Sequence, residues 1–402
     1  MGSIAVDQIG PDGQFVHDVD TILSEREKTE LLLRALPGAS SEKYAGVRVI
    51  RYRDQVILKA QVTHLGNPWP GFKKRIQIPR HWLSVHQQAV VDGLEPRFVG
   101  IYHYRGVTVF VDFDPETYVL RKANNSAAHV ATNDLFQAQT LGVFSREDRN
   151  RNQLTSIRFD NFANYLGGAL EESHPHIDLF DRFNREFLTA ERLEALDAIR
   201  EMHSRNWPDT FQGEWAGFYL EFRIDEFLRR SGSTDVVEFQ KVKGAGRLDY
   251  DLILKEAGNF AFYGDLKASD NAKHEAPGND AEDIRRCVKD FGRFWYVIYG
   301  HDTWKGTGNG DRATIAWNEW KRSVGYFSSR GKEYKPLSYA RRFKEAVRFA
   351  NMCILEVNEA NLHVVLGDFP QGHQPSGASR ALKVMINKKN IDNFLVFSAG
   401  VN

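Results

Sequence analysis

The stretch from Asp249 to Lys267 holds the residue types and spacings with the most chemical content. In Gly264-Asp265-Leu266-Lys267 a carboxylate and an ammonium stand two residues apart, within an apolar run, Phe260 to Ala268, that reads as a strand. Residues two apart on a strand point to the same face, so Asp265 and Lys267 project together while Leu266 faces the opposite layer. Asp249 and Asp251 share a face in the same way on the preceding candidate strand, Leu248 to Lys255. If the strands are neighbours, a carboxylate from each converges. The expected chemistry is that of magnesium, which takes hard oxygen ligands, keeps several waters and suits two carboxylates plus a substrate phosphate oxygen. The ammonium of Lys267 would hold an attacking water and offset charge developing on the phosphate. Upstream, Glu221 lies on or beside the apolar stripe of a helix, where a carboxylate needs a partner or a metal.

These side chains need elements to carry them. Gln212 to Arg230 has helical periodicity through Trp215, Phe218, Phe222 and Leu228, and Ser231-Gly232 ends it. Val236 to Val242, Leu248 to Lys255 and Phe260 to Ala268 then read as three strands. Asn279 and Asp280 precede a helix with Ile284, Cys287, Val288 and Phe291 inward, and Phe294 to Tyr299 reads as a buried strand. The order is helix, three strands, helix, strand. Glu319-Trp320-Lys321 and Glu333-Tyr334-Lys335 repeat the acid-x-lysine spacing, but no acidic strand precedes either.

In this order of elements, residues Gln212 to Tyr299 resemble the PD-(D/E)XK nuclease superfamily, type II restriction endonucleases in particular. The resemblance implies a mixed α+β protein of the α/β class, whose restriction-endonuclease-like core has a central mixed sheet flanked by helices. It implies that Asp251 is the acid of the second strand, Asp265 and Lys267 the D-x-K half, and Glu221 the acid of the first helix. Leu248 and Tyr250 stand where the pattern has proline, so Asp249 remains an alternative ligand. Asp251 is preferred because Leu252-Ile253-Leu254 runs directly on from it. The activity implied is Mg2+-dependent, site-specific hydrolysis of double-stranded DNA leaving 5′-phosphates, with a homodimer expected by analogy.

The N-terminal part resembles no family. Glu25 to Leu36 suits a short helix. Val47 to Val62 alternates as paired strands would, and Phe98 to Tyr104 with Val107 to Phe113 reads as a hairpin turning at Arg105-Gly106. A β-rich DNA-recognition domain over 1–145 and a nuclease domain over 146–402 are expected, with the charged stretch Ser145 to Asn152 as the junction.

The 402-residue chain has a formal net charge of zero, which conceals asymmetry. From Lys43 to Val91, nine basic residues face Asp54 alone, a net of +8; from Lys321 to Arg348, nine face two acids, a net of +7. Such blocks suit a polyanion. Arg48, Arg51, Lys73, Lys74 and Arg75 are the candidates for DNA contact. No apolar run is long enough to cross a membrane, no signal-peptide pattern opens the chain, and Cys287 and Cys353 stand far apart, so a reducing cytoplasmic setting is expected. His174-Pro175-His176, beside Glu171 and Glu172, reads as a loop. Asp112-Phe113-Asp114, followed by proline, reads as a strand end.

Overall fold

The computed structural model describes residues 4–11, 13–119, 125–147, 152–170, 174–208, 210–240, 250–306, 312–327, 342–370 and 381–401. The protein is a mixed α+β structure of the α/β class, and it divides into two compact units: residues 1–173 with 392–394, and residues 174–391 with 395–402.

In the first unit β1 (Ala5–Ile9) and β2 (Phe15–Val19) form a hairpin. Ser24 caps α1 (Glu25–Ala35): its hydroxyl accepts from the Glu27 amide at 3.2 Å, while the Glu27 carboxylate accepts from the Ser24 amide at 2.7 Å. Both otherwise unpaired amides are thereby satisfied. Then come β3 (Ser40–Tyr44), β4 (Val47–Tyr52), β5 (Gln55–Gln61), β6 (Thr63–His64), β7 (Lys73–Pro79), α2 (His81–Val91), β8 (Glu95–Tyr104) and β9 (Val107–Phe113). After these follow α3 (Pro115–Val119), β10 (Asn125–Ala131), α4 (Thr132–Leu141), β11 (Val143–Glu147), β12 (Gln153–Arg158) and α5 (Phe162–Leu166).

A seven-stranded sheet runs β11-β12-β9-β8-β5-β4-β3, antiparallel except where β5 lies parallel to β8, and β10-β7-β6 form a second sheet. The expected hairpin is present: Arg105 and Gly106 both take positive φ, 43° and 91°, which matches the twist of β8 and β9. Leu32 and Leu36 pack with Ile50, Ile57, Val99, Phe110 and Phe162 as the core beneath α1 and α5. β11 and β12, which flank the expected junction at 145–152, are hydrogen-bonded to each other, and β12 to β9, inside this unit's sheet.

The second unit opens with α6 (Pro175–Phe187). His174-Pro175-His176 is therefore the start of a helix and not a loop: proline fills its first position, where no amide donor is needed, and Leu179, Phe180, Phe183 and Phe187 are buried beneath it. There follow β13 (Leu193–Glu194), α7 (Ala195–Ser204), α8 (Trp215–Ser231), β14 (Val237–Phe239), β15 (Leu252–Glu256), β16 (Asn259–Asp270), β17 (Glu275–Asp280), α9 (Ala281–Phe291) and β18 (Arg293–Trp304). The chain continues through α10 (Arg312–Ser323), β19 (Ala346–Asn358), α11 (Leu362–Val365), β20 (Leu366–Phe369), β21 (Lys383–Asn387) and β22 (Leu395–Gly400).

Its main sheet runs β13-β19-β18-β16-β15-β14, with β22 also on β19. β14, β15 and β16 are an antiparallel meander, and β18 returns parallel to β16 by way of α9. Gly232, at φ 64°, ends α8 in the left-handed conformation that glycine adopts without steric cost. The order helix, three strands, helix, strand is thus observed, with one addition. β17 leaves the main sheet and joins β21 and β20 in a separate one. Among the described residues no helix is long and apolar enough to cross a membrane.

Candidate active site

β15 and β16 pair Leu252 with Gly264, which sets Asp251 and Asp265 side by side at the next register step. Two further contacts fix them. The Asp251 amide donates to Asp265 Oδ1 at 3.4 Å, and the Leu266 amide donates to Asp251 Oδ2 at 3.3 Å, so each carboxylate is held by the other strand's backbone. Asp265 is 1% exposed and its Oδ2 meets the ammonium of Lys267. Lys267, on the same face of β16, keeps 23% of its side chain open to solvent.

Glu221 is half-buried on α8, close enough for its charge to act on both Asp251 and Lys267. Burial first, then the adjacent Asp265 carboxylate, holds the Asp251 carboxyl well above the usual carboxylate range; Lys267 opposes the rise and Glu221 adds to it. The two aspartates stand close enough for the Asp265 carboxylate to disfavour the charged form of Asp251. For Lys267, burial acts to lower the pKa, but the charges of Asp265, Asp251 and Glu221 outweigh it and hold the ammonium above its ordinary range. Lys267 stays protonated.

Asp251, Asp265 and Lys267 therefore come together, with Glu221 alongside. Asp249 lies outside the described residues. Among the described residues no group of three or more His, Cys, Asp or Glu side chains is gathered to hold a metal. The donors that do converge, two carboxylates with Asp265 Oδ2 buried and making no ordinary hydrogen bond, fit magnesium in kind: that ion is commonly bound through one or two carboxylates, with water and substrate phosphate completing its shell.

The candidate DNA contacts in the first unit do not all face outward. Strand parity splits the basic run on β7: Lys74, Ile76 and Ile78 are buried, and Lys73 and Arg75 lie on the other, half-buried face. Lys74 is 0% exposed, ion-paired to Asp20 at 3.0 Å and placed over the Tyr102 ring, so it is a core residue and not a phosphate contact. Lys73 lies 4.9 Å from the Trp69 ring centroid. Arg48 is exposed, while Arg51 pairs with Glu42 at 3.3 Å. Asp112 bonds Arg97 at 2.7 Å and Tyr165 at 3.0 Å, and Asp114 accepts from the first turn of α3 at 3.0 Å.

Sequence reasoning missed a group of cations at the carboxyl ends of β16 and β18. Lys388 donates to the Asp270 carbonyl at 2.7 Å, Lys344 pairs with Glu214 at 3.1 Å, and Lys273 and Lys305 follow β16 and β18 within a few residues. These lysines are scattered over more than a hundred residues, and only Lys344 belongs to a charge block.

Residues 53–166, inside the first unit, match the methylase-associated X1 family, which occurs in restriction-modification systems. No curated protein and no solved structure matches the chain.

Proposed function

We propose that the second unit is a magnesium-dependent endonuclease of the PD-(D/E)XK kind, cutting double-stranded DNA at a specific site as part of a restriction system, and that the first unit takes part in recognition. The observation that carries this reading is the convergence of Asp251, Asp265 and Lys267 on adjacent strands, with Glu221 beside them. The family match over residues 53–166 supplies the restriction-modification context.

Asp251 and Asp265 would hold the ion. When bound, it would polarise a phosphate oxygen and acidify a water. The remaining work falls to the chain itself. Lys267 Nζ would donate to the attacking water and orient it toward phosphorus, and its fixed positive charge would offset the charge gathering on the phosphate oxygens. Glu221 would keep the site's acid-base balance, holding the ammonium charged and accepting a hydrogen bond from the water on that side. Attack in line with the leaving 3′ oxygen would give a 5′-phosphate. Two copies of this site, in a homodimer, would serve the two strands of a duplex. Lys73 and Arg75, on the half-buried face of β7, would meet phosphates or base edges.

The test is incubation of purified protein with mixed-sequence plasmid DNA and Mg2+, beside Lys267→Ala and a chelated control. Discrete fragments that vanish in both controls are the expected result. A smear would replace the restriction reading with a nonspecific nuclease, and plasmid left intact whatever its modification would overturn the catalytic reading.

A further inference from the structure

Four lysines from four separate segments meet at one end of the main sheet of the second unit. β16 and β18 are parallel, Asp270 pairs with His301 at their carboxyl ends, and the Asn271 amide donates to the His301 carbonyl at 2.9 Å. The Lys273 amide is folded back onto the Asp270 carbonyl at 3.0 Å, the same oxygen that receives Lys388 Nζ at 2.7 Å. Trp304 pairs with Ala346, which brings Lys305 and Lys344 to the adjoining strand ends. Among the described residues, Asp270 and Glu214 are carboxylates whose charges act on these ammonium groups, and Asp302 is taken up by Asn271 and Arg348. Glu214 already pairs with Lys344, and the Asp270 carboxylate accepts from the Ala272 amide at 2.9 Å.

The crowding of like charges is felt by the groups themselves. Burial lowers Lys305, with Lys344 and Lys273 lowering it further against Asp270 and Glu214; burial also lowers Lys388, against Asp270, with a smaller lowering from Lys273. A fold that gathers ammonium groups this way is destabilised by their repulsion unless an anion joins them. A second observation points the same way. His301 is 0% exposed; its Nδ1 lies 3.0 Å from Thr303 Oγ1, and its Nε2 is buried without a hydrogen-bond partner, within the field of Lys344 and Lys388. The carboxyl ends of parallel strands are also where ligands of open α/β sheets bind.

We propose that Lys273, Lys305, Lys344 and Lys388 form a phosphate-binding cradle for the DNA strand beside the scissile phosphate. This rests on the nuclease reading. Asp270 lies three residues beyond Lys267 on β16, about 10 Å at roughly 3.3 Å per residue. That span is on the order of three nucleotides of axial rise, so the cradle grips flanking phosphates and leaves the scissile one to Lys267.

Binding in chelator separates this from catalysis. The affinity of the full chain for a mixed-sequence duplex is measured by fluorescence anisotropy across a salt series, for the wild type and for Lys273→Ala/Lys305→Ala/Lys388→Ala. Removing one lysine–phosphate interaction flattens the plot of log affinity against log salt by about 0.9, so the triple variant is expected to lose between about 2 and 3 from the slope. The matching triple Lys→Arg variant keeps the slope, as does Lys289→Ala on the exposed face of α9. An unchanged slope in the triple alanine variant, with wild type binding and cutting DNA, overturns the cradle and leaves the nuclease reading intact. Wild type that neither binds nor cuts the duplex overturns both. If inorganic phosphate raises the melting temperature of the wild type but not of the triple variant while the DNA slope stays unchanged, the site takes a small anion and the proposal fails.

Discussion

Replacing Lys267 with methionine tests whether the ammonium serves the fold, the chemistry or both. The change leaves Asp265, 1% exposed, without its counter-charge. Stripping one partner from a buried pair costs about 3–5 kcal/mol; the lysine end reaches solvent, so the lower figure, about 3 kcal/mol, is expected. Asp251 does not add a second full charge, because burial and Asp265 already hold it toward its protonated form. The double variant Asp265→Asn/Lys267→Met carries no unpaired charge and is expected within about 1 kcal/mol of wild type, since neutral replacements of a buried pair are often close to neutral in stability. Urea unfolding followed by tryptophan fluorescence in chelator at neutral pH measures wild type, both single variants and the double variant, and plasmid cleavage in Mg2+ is measured alongside. The expected pattern is a Lys267→Met protein that is destabilised and inactive, and a double variant that is stable and still inactive. If the double variant is as unstable as the two single substitutions added together, the pair is not coupled and the reasoning is wrong. If Lys267→Met cuts DNA at the wild-type rate, the chemical role assigned to the lysine is wrong.

Three other expectations follow from single contacts. His174 is pushed down to about 3, by burial first and then by the charges of His176 and Arg293. Its depressed pKa gives stability that is present above the unfolded value of about 6.5 and is lost as pH falls, about 2 kcal/mol between pH 6.5 and 5, so His174→Phe should flatten the dependence of the urea midpoint on pH across that window. At Gly264 a Cβ would sit 3.0 Å from the Trp295 carbonyl and from Leu254 Cδ2; Gly264→Ala is expected to cost about 1–3 kcal/mol and to lower cleavage with it, as calorimetry and a rate assay would reveal. Lys74→Met should cost about 3 kcal/mol by stranding Asp20, with the salt dependence of DNA binding unchanged, whereas Lys73→Ala should leave stability alone and flatten that dependence by about 1.

Much of the second unit could be read from periodicity. The stripes of α8 and α9 and the apolar runs of β15, β16 and β18 each bury one side of a regular element, so their spacing announces them. Within those strands, a two-residue repeat was enough to put Asp265 and Lys267 on one face. Parity holds on β7, where Lys74 shares the inward face with Ile76 and Ile78, but Lys73, Lys74 and Arg75 are alike in charge, and the partner that makes a buried lysine tolerable, Asp20, lies far back in the chain. α6 was hidden behind a histidine-proline-histidine start that resembles a turn, although proline at a first helical position is favourable. β17, with a proline and a glycine in six residues, has no strand signature of its own and is formed by pairing with β21, more than a hundred residues later. The lysine cluster at the ends of β16 and β18 has no local signature for the same reason: tertiary pairing, not local pattern, gathers it.

β16 is hydrogen-bonded to a neighbour on both of its edges, β15 on one and β18 on the other. Its amides around Asp265 and Lys267 should be among the slowest in the second unit to exchange with solvent deuterium, while the amides around Lys273 and Lys305, where the pairing ends, should exchange early. On the nuclease reading, bond breaking would be tied to backbone paired along both edges, and the hold on the substrate to the strand ends where that pairing stops. A bent or irregular duplex would then be accommodated at the strand ends without disturbing the pairing that sets the two aspartates side by side.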